Sequence, residues 1–204
     1  MRLSPKVAAP QRMALVMVDL QNDFLAPEGA YARGNTVSPE ALLLPARLVP
    51  VAEAVKRNQG LVAASLFTLW PGADGLPMIS PHLLERRPFL RAGDFAPGSW
   101  GQSNVATIAP FVDVAVCKVA YSAFFNTQLD WVLRRAGVDT VVVCGIVTNG
   151  GVASTVRDAH MRDYRTVVLS DGCATFSQAA HQAALTDMAS VAEVMTCGEW
   201  LATL

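Results

Sequence analysis

Charged side chains are scarce in this sequence. Asp, Glu, Lys and Arg make up 16% of its 204 residues, against 52% apolar residues, and the formal net charge is −1. A chain so close to neutral lacks the electrostatic field that draws proteins to nucleic acid or to anionic membranes. We therefore expect neither nucleic acid nor a membrane as the main partner.

Long apolar segments are also missing. No stretch reaches the ~18 uninterrupted apolar residues of a membrane span. Residues Met1–Gln11 contain two prolines and lack the apolar centre of a signal peptide. These features predict a cytoplasmic protein.

Several common catalytic and metal-binding motifs do not occur. There is no GxSxG elbow, and the run GIVTNGG lacks the Lys-Ser/Thr pair of a phosphate loop. The cysteines show no CxxC spacing and the histidines no HxxH or HExxH spacing. We expect no metal, no cofactor and reduced, buried thiols. The residues concerned are Cys117, Cys144, Cys173, Cys197, His82, His160 and His181.

Strand-like and helical patterns alternate along the chain. This order predicts an α/β fold, a Rossmann-like three-layer sandwich whose mostly parallel six-stranded sheet has helices on both faces. The length fits one domain over residues 1–204, with residues 1–11 as an N-terminal extension. The predicted strands are Met13–Val18, Leu61–Leu66, Val112–Cys117, Thr140–Cys144, Thr166–Leu169 and Ala192–Thr196. The predicted helices are Pro39–Gln59, one bracketed by Asn126 and Gly137, one starting at Asn149 or Gly150, and one from Ser177 to about Ser190.

One long segment has no regular pattern. Thr68–Ser103 contains five prolines and five glycines. A loop of this length inside a compact domain is usually functional or interfacial. We expect it to cover the active site or to reach a neighbouring subunit, with a solvated excursion as the alternative.

Three chemical features fall at predicted strand ends. Asp19 ends the first strand, Lys118 follows the third, and the Gly-rich turn Gly145–Gly151 follows the fourth. Ligands of open α/β sheets bind beyond the carboxyl ends of the strands. A turn that feeds a helix there also points backbone N–H groups at the ligand. From position alone, Asp19 and Lys118 could equally form an ordinary salt bridge.

These segments resemble the isochorismatase-like hydrolases, also called the cysteine hydrolase superfamily. The resemblance rests on MALVMVDLQNDFL, KVAYSAFFNTQLDWVLRRAGVDTVVVCG, GIVTNGGVASTVRDA and SDGCATFSQAAHQAAL, and it covers about residues 11 to 198. Most amide-cleaving members have a cysteine where this chain has Gly151. The chain therefore departs from the family at the position of the nucleophile.

The resemblance implies a small-molecule substrate and a role for each site residue. Asp19 would accept and donate protons, and Lys118 would stabilise negative charge. Gly151 stands where the cysteine attacks the carbonyl carbon, and the backbone N–H groups of Val147 and Gly151 would form the oxyanion hole. A cis peptide bond would join Ile146 to Val147.

Three hypotheses explain the glycine. In the first, the chain is a hydrolase that uses acid–base chemistry without a covalent intermediate, as vinyl-ether-cleaving isochorismatases do. In the second, it is an amide hydrolase in which Gly151 replaces the cysteine by engineering. In the third, it is a catalytically silent binding protein. Vinyl-ether members usually carry an aromatic-Ala-His segment in the turn, whereas Val147-Thr148-Asn149 and the following TNGGVASTVRDA are more similar to the amidase-type branch.

Other residues near the predicted strand ends are candidates for the pocket or for the missing nucleophile. Cys144 and Cys173 could replace the nucleophile, although structural burial is the simpler interpretation. His181 is expected to be structural. Metal-binding members carry an Asp-x-His-x-x-His cluster, and Thr68-Leu69-Trp70 has no histidine there. The predicted pocket residues are Asn149 and five aromatic residues, for which core packing is the alternative: Phe24, Trp70, Tyr121, Phe124 and Phe125.

The apolar composition and the long segment together predict a homo-oligomer, and the resemblance indicates a homodimer or homotetramer. Sedimentation at micromolar concentration should give a dimer or a larger species. A clean monomer at the 21.7 kDa chain mass would contradict this prediction.

Overall fold

The computed structural model describes residues 12–204, so the predicted N-terminal extension lies outside the described residues. Six strands form one sheet in the order β3-β2-β1-β4-β5-β6. Every neighbouring pair is parallel. The predicted α/β class is confirmed. The strands are β1 (Met13–Val18), β2 (Leu61–Phe67), β3 (Val114–Lys118), β4 (Thr140–Ile146), β5 (Arg165–Ala174) and β6 (Glu193–Met195).

The helices connect these strands. They are α1 (Asn22–Leu25), α2 (Ala30–Arg33), α3 (Pro39–Arg57), α4 (Pro81–Glu85), α5 (Leu129–Arg135), α6 (Ala153–Met161), α7 (Gln178–Met188) and α8 (Cys197–Leu201). A 3₁₀ turn spans Ala109–Phe111 and a π-helical turn spans Thr148–Val152. Within residues 12–204, no helix is long and apolar enough to cross a membrane.

The two central strands explain why the sheet is covered on both faces. Every residue of β1 and β4 is buried, and their runs MALVMV and TVVVCGI are almost wholly apolar. α3 leads from β1 toward one edge of the sheet, and α6 leads from β4 toward the other. Right-handed crossovers in opposite directions place these helices on opposite faces. α8 packs with α3 on one face, and α7 packs with α6 on the other.

Most predicted boundaries hold within two residues, and the exceptions have local causes. β5 continues past Leu169 to Ala174 because the register with β4 shifts, so that Cys173 pairs with Gly145. β3 begins at Val114 because the Asp113 carboxylate is held by the Val62 N–H at 2.9 Å and by Lys56.

The predicted helix after Asn126 begins later than its sequence bracket. Asn126 has a positive φ of 53°, and Thr127 accepts a hydrogen bond from the Leu129 N–H at 3.2 Å. The helix α5 therefore starts only at Leu129. The predicted cap of α7 is present, since Ser177 accepts a hydrogen bond from the Ala180 N–H.

Residues that follow β1 hold the long segment in place. The Gln21 amide donates to the carbonyls of Phe67 and Gln102, and its oxygen accepts from the Phe67 N–H at 2.7 Å. Asn22 donates to the Trp100 carbonyl at 2.8 Å. The bonds to Gln102 and Trp100 join the end of β1 to residues more than 75 positions away in the chain. The segment is therefore ordered against the carboxyl end of the sheet.

The buried Asp23 carboxylate completes this attachment. It accepts the Ala30 N–H at 3.0 Å and the Phe95 N–H at 2.7 Å. Gly101 lies so close that a Cβ there would overlap the carboxylate. No larger residue fits at 101 without displacing Asp23.

We predict that Asp23→Ala lowers the free energy of unfolding by about 3 kcal/mol, because it leaves two buried N–H donors without their acceptor. Urea unfolding measures the effect. Asp74→Ala is the matched control in the same segment, since Asp74 is exposed and accepts only the Leu76 N–H. It should cost less than about 1 kcal/mol. Equal losses in the two variants would contradict the anchoring role.

Candidate active site

Asp19 and Lys118 meet at the carboxyl end of the sheet. Lys118 Nζ lies 2.7 Å from Asp19 Oδ2, and both side chains are almost completely buried, with 1% and 7% exposure. The strand order explains the contact, because β2 lies between β1 and β3. Ser65 of β2 donates from its hydroxyl to Asp19 Oδ1 at 2.9 Å. The sequence placed the two charges at strand ends, and the sheet brings them together.

The surroundings of this pair set its protonation. Burial raises the pKa of Asp19, and the charge of Lys118 and the Ser65 hydrogen bond lower it only in part. The pKa of Asp19 thus lies above its ordinary value. Lys118 Nζ also donates to the Ala120 carbonyl at 3.0 Å and lies 5.6 Å from the centre of the Phe67 ring. Asp19 is therefore a carboxyl group that can hold or release a proton beside a fixed cation.

The backbone of Asp19 is itself unusual. Its φ is 57°, in the left-handed region that residues other than glycine rarely adopt. The Asp19 N–H donates to the Ser65 carbonyl at 3.1 Å. This bend ends β1 and turns the carboxylate toward Lys118.

The turn after β4 lies directly against β1. Gly145 has a φ of 116°, and a Cβ there would overlap the carbonyl oxygen of Val18. Only glycine allows the two backbones to come so close. The peptide bond between Ile146 and Val147 is cis, at the position that the family resemblance implied. The N–H groups of Gly150 and Val152 both donate to the Val147 carbonyl, at 2.9 and 3.2 Å.

Gly151 faces the carboxylate of Asp19. A Cβ built at Gly151 would lie 3.5 Å from Asp19 Oδ2, an ordinary van der Waals contact. It would also lie 3.0 Å from the Ile146 carbonyl oxygen and from Val18 Cγ1, so these neighbours would have to give by a few tenths of an ångström. The φ of Gly151 is not in the left-handed region. The position therefore leaves room above Asp19, and its backbone would accept a small side chain.

These groups line one cavity of about 230 Å³. The lining includes Phe24, Tyr121 and Asn149, which the sequence analysis predicted as pocket residues. The Asn149 side-chain oxygen accepts a hydrogen bond from Thr175 at 2.8 Å. The complete lining is Asp19, Phe24, Tyr31, Phe67, Arg87, Lys118, Tyr121, Ile146, Val147, Asn149, Gly151 and Phe176.

Three predicted pocket residues, Phe124, Phe125 and Trp70, are not part of this lining. Phe125 is 50% exposed. Phe124 is buried in the main core, and its ring lies 6.0 Å from that of Tyr164. Its position on the chain after β3 turns it toward α6 instead of toward Asp19. Trp70 lines a neighbouring cavity, because the chain after β2 runs outward before it returns to the site at Arg87.

The sequence analysis did not predict four of the residues that line the cavity. Phe67 and Phe176 stand at or just after the ends of β2 and β5, so the strand-end rule that selected Asp19 could have found them. Tyr31 and Arg87 carry no such signal. They come together only in the fold, where Arg87 Nε donates to the Tyr31 hydroxyl at 3.1 Å.

None of the cysteines lines the cavity around Asp19. Cys144 and Cys173 are buried, and burial raises the pKa of both thiols, which makes them poor nucleophiles. Burial likewise raises the pKa of Cys197 to about 12. Cys117 corrects the expectation of four buried thiols, because it is exposed on the edge strand β3. All four are free.

The described histidines and acids do not form a metal site. Within residues 12–204, no group of three or more His, Cys, Asp or Glu side chains could hold a metal ion. His181 lies outside the cavity, with its Nδ1 2.9 Å from the Thr148 hydroxyl. Burial lowers the pKa of His181. His181 is therefore a neutral side chain at pH 7. Its contact with Thr148 holds the first residue of the Thr148–Val152 turn in place.

Known proteins are similar to this chain in sequence and in fold. The chain is 32% identical over 175 residues to the uncharacterized isochorismatase family protein YwoC of Bacillus subtilis, which covers 86% of this chain and 84% of that protein. It is 31% identical over 219 residues to the ureidoacrylate amidohydrolase RutB of Azorhizobium caulinodans, covering 100% and 92%. The crystal structure of a cysteine hydrolase from Pseudomonas syringae pv. phaseolicola superposes with a TM-score of 0.83 at 28% identity, covering 100% of this chain and 97% of that one.

The family described as the isochorismatase domain matches residues 13–199, which include every strand, the Asp19–Lys118 pair and the turn that carries Gly151. This chain belongs to the isochorismatase family of hydrolases.

Proposed function

We propose that this hydrolase cleaves a small substrate by direct attack of water, with Asp19 as the proton carrier and no covalent enzyme intermediate. The observation that carries the proposal is the room above Asp19. The side chain that would hold a nucleophile at 151 is absent, and its Cβ position lies 3.5 Å from Asp19 Oδ2. A water molecule in that space would be within reach of the carboxyl group.

A vinyl ether is the bond that this chemistry suits best. Asp19 in its acid form gives its proton to the carbon–carbon double bond, and the adjacent ether carbon becomes an oxocarbenium ion. Water adds to that carbon, and its proton returns to the Asp19 carboxylate. The resulting hemiketal then breaks its carbon–oxygen bond to release an alcohol and a ketone. The raised pKa of Asp19 supports its role as the acid.

Lys118 and the turn have supporting roles in this proposal. Lys118 holds the Asp19 carboxylate when the proton has left, and its own position is fixed by the Ala120 carbonyl. The backbone N–H groups of Val147 and Gly151 are the proposed donors to the hemiketal oxygen, which gains negative charge as it loses its proton and the carbon–oxygen bond breaks. Donors of this kind contribute about 3 kcal/mol each to transition-state stabilisation in measured cases.

A second candidate is hydrolysis of a carbon–nitrogen bond. The similarity to ureidoacrylate amidohydrolases favours it, as do the residues around the turn. In this candidate a thiol at position 151 attacks the carbonyl carbon, so the chain as it stands lacks the nucleophile. A cysteine at 151 would be the fourth residue of the π-helical turn Thr148–Val152, just before α6 begins at Ala153. The helix dipole lowers the pKa of a thiol at such a position.

Turnover separates these candidates. Wild type, Asp19→Asn and Gly151→Cys are assayed on small vinyl ethers and small amides. The proposal expects wild-type turnover of a vinyl ether, reduced at least about 100-fold in Asp19→Asn because the proton carrier is lost. Amide turnover by Gly151→Cys alone would favour the second candidate. Ligand binding without turnover by any of the three proteins would indicate a binding protein.

Thiol chemistry gives an independent prediction. Iodoacetamide should leave wild-type turnover unchanged, even though it alkylates the exposed Cys117, because no thiol lines the site. Hydroxylamine should trap no acyl-enzyme. Gly151→Cys should be alkylated faster than Cys144 or Cys173 near neutral pH, as followed by peptide mass spectrometry. Loss of wild-type activity on alkylation would contradict water attack.

The pH profile tests the charge of Lys118. With Asp19 as the acid, activity is present below the pKa of Asp19 and falls as the pH rises through it. Lys118 lowers that pKa. In Lys118→Met we therefore expect the falling limb of kcat/KM to move to higher pH, together with a lower maximal rate. Lys56→Met, which removes an exposed partner of Asp113, is the control and should leave the limb in place. A shift to lower pH would contradict the assignment.

A further inference from the structure

A second, larger cavity adjoins the one that contains Asp19. Its volume is about 420 Å³, within the usual size range of small-molecule sites. The two cavities share three walls, namely Phe67, Arg87 and Tyr121. A molecule that reaches Asp19 past these residues can therefore extend into the larger space.

The walls of the larger cavity are mainly apolar. They come from the chain between β2 and β3 and from the chain just after β3. Residues 70–78 form a short hairpin, in which the Met78 N–H donates to the Trp70 carbonyl at 2.7 Å and Pro71 pairs with Pro77. Leu83 of α4 closes another side. The apolar walls are Leu69, Trp70, Met78, Ile79, Leu83 and Val119.

Several of these walls are unusually exposed for large apolar residues. Trp70 is 50% exposed, Met78 64% and Val119 54%. Apolar surface left in contact with water is unfavourable, at roughly 25 cal/mol per Å². Filling the cavity with an apolar group would remove that contact. The feature that sets this surface apart from an ordinary exposed patch is its concave shape and its continuity with the site of Asp19.

We propose that this cavity, the tail cavity, binds an apolar aryl or alkyl substituent of the substrate while the bond to be cleaved lies at Asp19. The inference rests on the proposed function for the position of the reacting bond. Arg87 stands at the junction, with its guanidinium held by the Tyr31 hydroxyl at 3.1 Å. An anionic group between the reacting bond and the apolar substituent would meet this cation.

Binding of non-reacting acids tests the tail cavity without any turnover. The probes are 4-phenylbutyrate, which carries an aryl tail, and acetate, which has none. Calorimetry should give a dissociation constant for phenylbutyrate at least about tenfold lower than for acetate, the scale expected for burying a ring. Binding should also change the Trp70 fluorescence, isolated as the difference between wild type and Trp70→Phe.

Two pairs of variants locate the binding. Leu83→Trp fills the cavity, and Leu84→Trp is its control on the same helix, because Leu84 does not line the cavity. Met78→Lys places a charge in the wall, and Leu76→Lys is its control on the same exposed hairpin. Leu83→Trp and Met78→Lys should each weaken phenylbutyrate binding at least about tenfold, and the controls less than about twofold. Because Met78 is exposed, Met78→Lys should fold normally. It therefore still tests the binding site if Leu83→Trp does not fold.

Turnover provides the second arm. On a cleavable substrate, the ratio of kcat/KM for a phenyl-bearing to a methyl-bearing version should fall in Leu83→Trp and stay unchanged in Leu84→Trp. Phenylbutyrate binding that is no tighter than acetate binding, or that the wall variants do not weaken, would overturn the tail cavity. Probe binding that depends on Leu83 and Met78, in a protein that turns over no substrate, would support the cavity and count against the proposed function instead.

Discussion

The buried ion pair between Asp19 and Lys118 is the interaction on which the candidate site depends. Two charges removed from water are stable only when each is compensated by close, well-oriented partners. Here the compensation comes from three adjacent strands, since Ser65 of β2 bonds the carboxylate that follows β1 and the Ala120 carbonyl bonds the amine that ends β3. The sheet order is therefore a requirement of the site. A different order of β1, β2 and β3 would leave one charge buried without its partner.

The residues just after Asp19 connect this pair to the walls of the pocket. Gln21, Asn22 and Asp23 bind the backbone of the long segment at positions that range from Phe95 to Ser103. The same segment carries Arg87 and most of the tail-cavity walls. In the sequence DLQNDF, Asp19 thus supplies the carboxylate of the candidate site. Gln21, Asn22 and Asp23 fix the position of the long segment that lines it.

Two glycines act on the opposite side of the site, for different reasons. Gly145 is required by the backbone, because β4 approaches Val18 so closely that no side chain fits. Gly151 is not required in this way, since its φ suits other residues and a Cβ would have tolerable contacts. Backbone packing therefore explains why position 145 is a glycine, but it does not explain position 151. The proposed attack by water gives the glycine at 151 a chemical reason, because it leaves space for water beside Asp19.

The sequence by itself determined the fold class and singled out the two charges that meet at the carboxyl end of the sheet. Apolar runs such as Thr140–Cys144 are readable because a strand buried on both faces must be apolar, and Asp19 and Lys118 stand out as charges at the ends of such runs. The residues that line the pocket were harder to predict from the sequence. Phe124 and Trp70 were predicted as pocket residues from their positions in the chain, yet Phe124 packs into the core and Trp70 faces the neighbouring cavity. Tyr31 and Arg87 are 56 residues apart and carry no pattern that joins them. Only the tertiary structure decided which side chains line the cavity around Asp19, because irregular segments take their course from distant contacts, such as those of Gln21 and Asp23, and not from local periodicity.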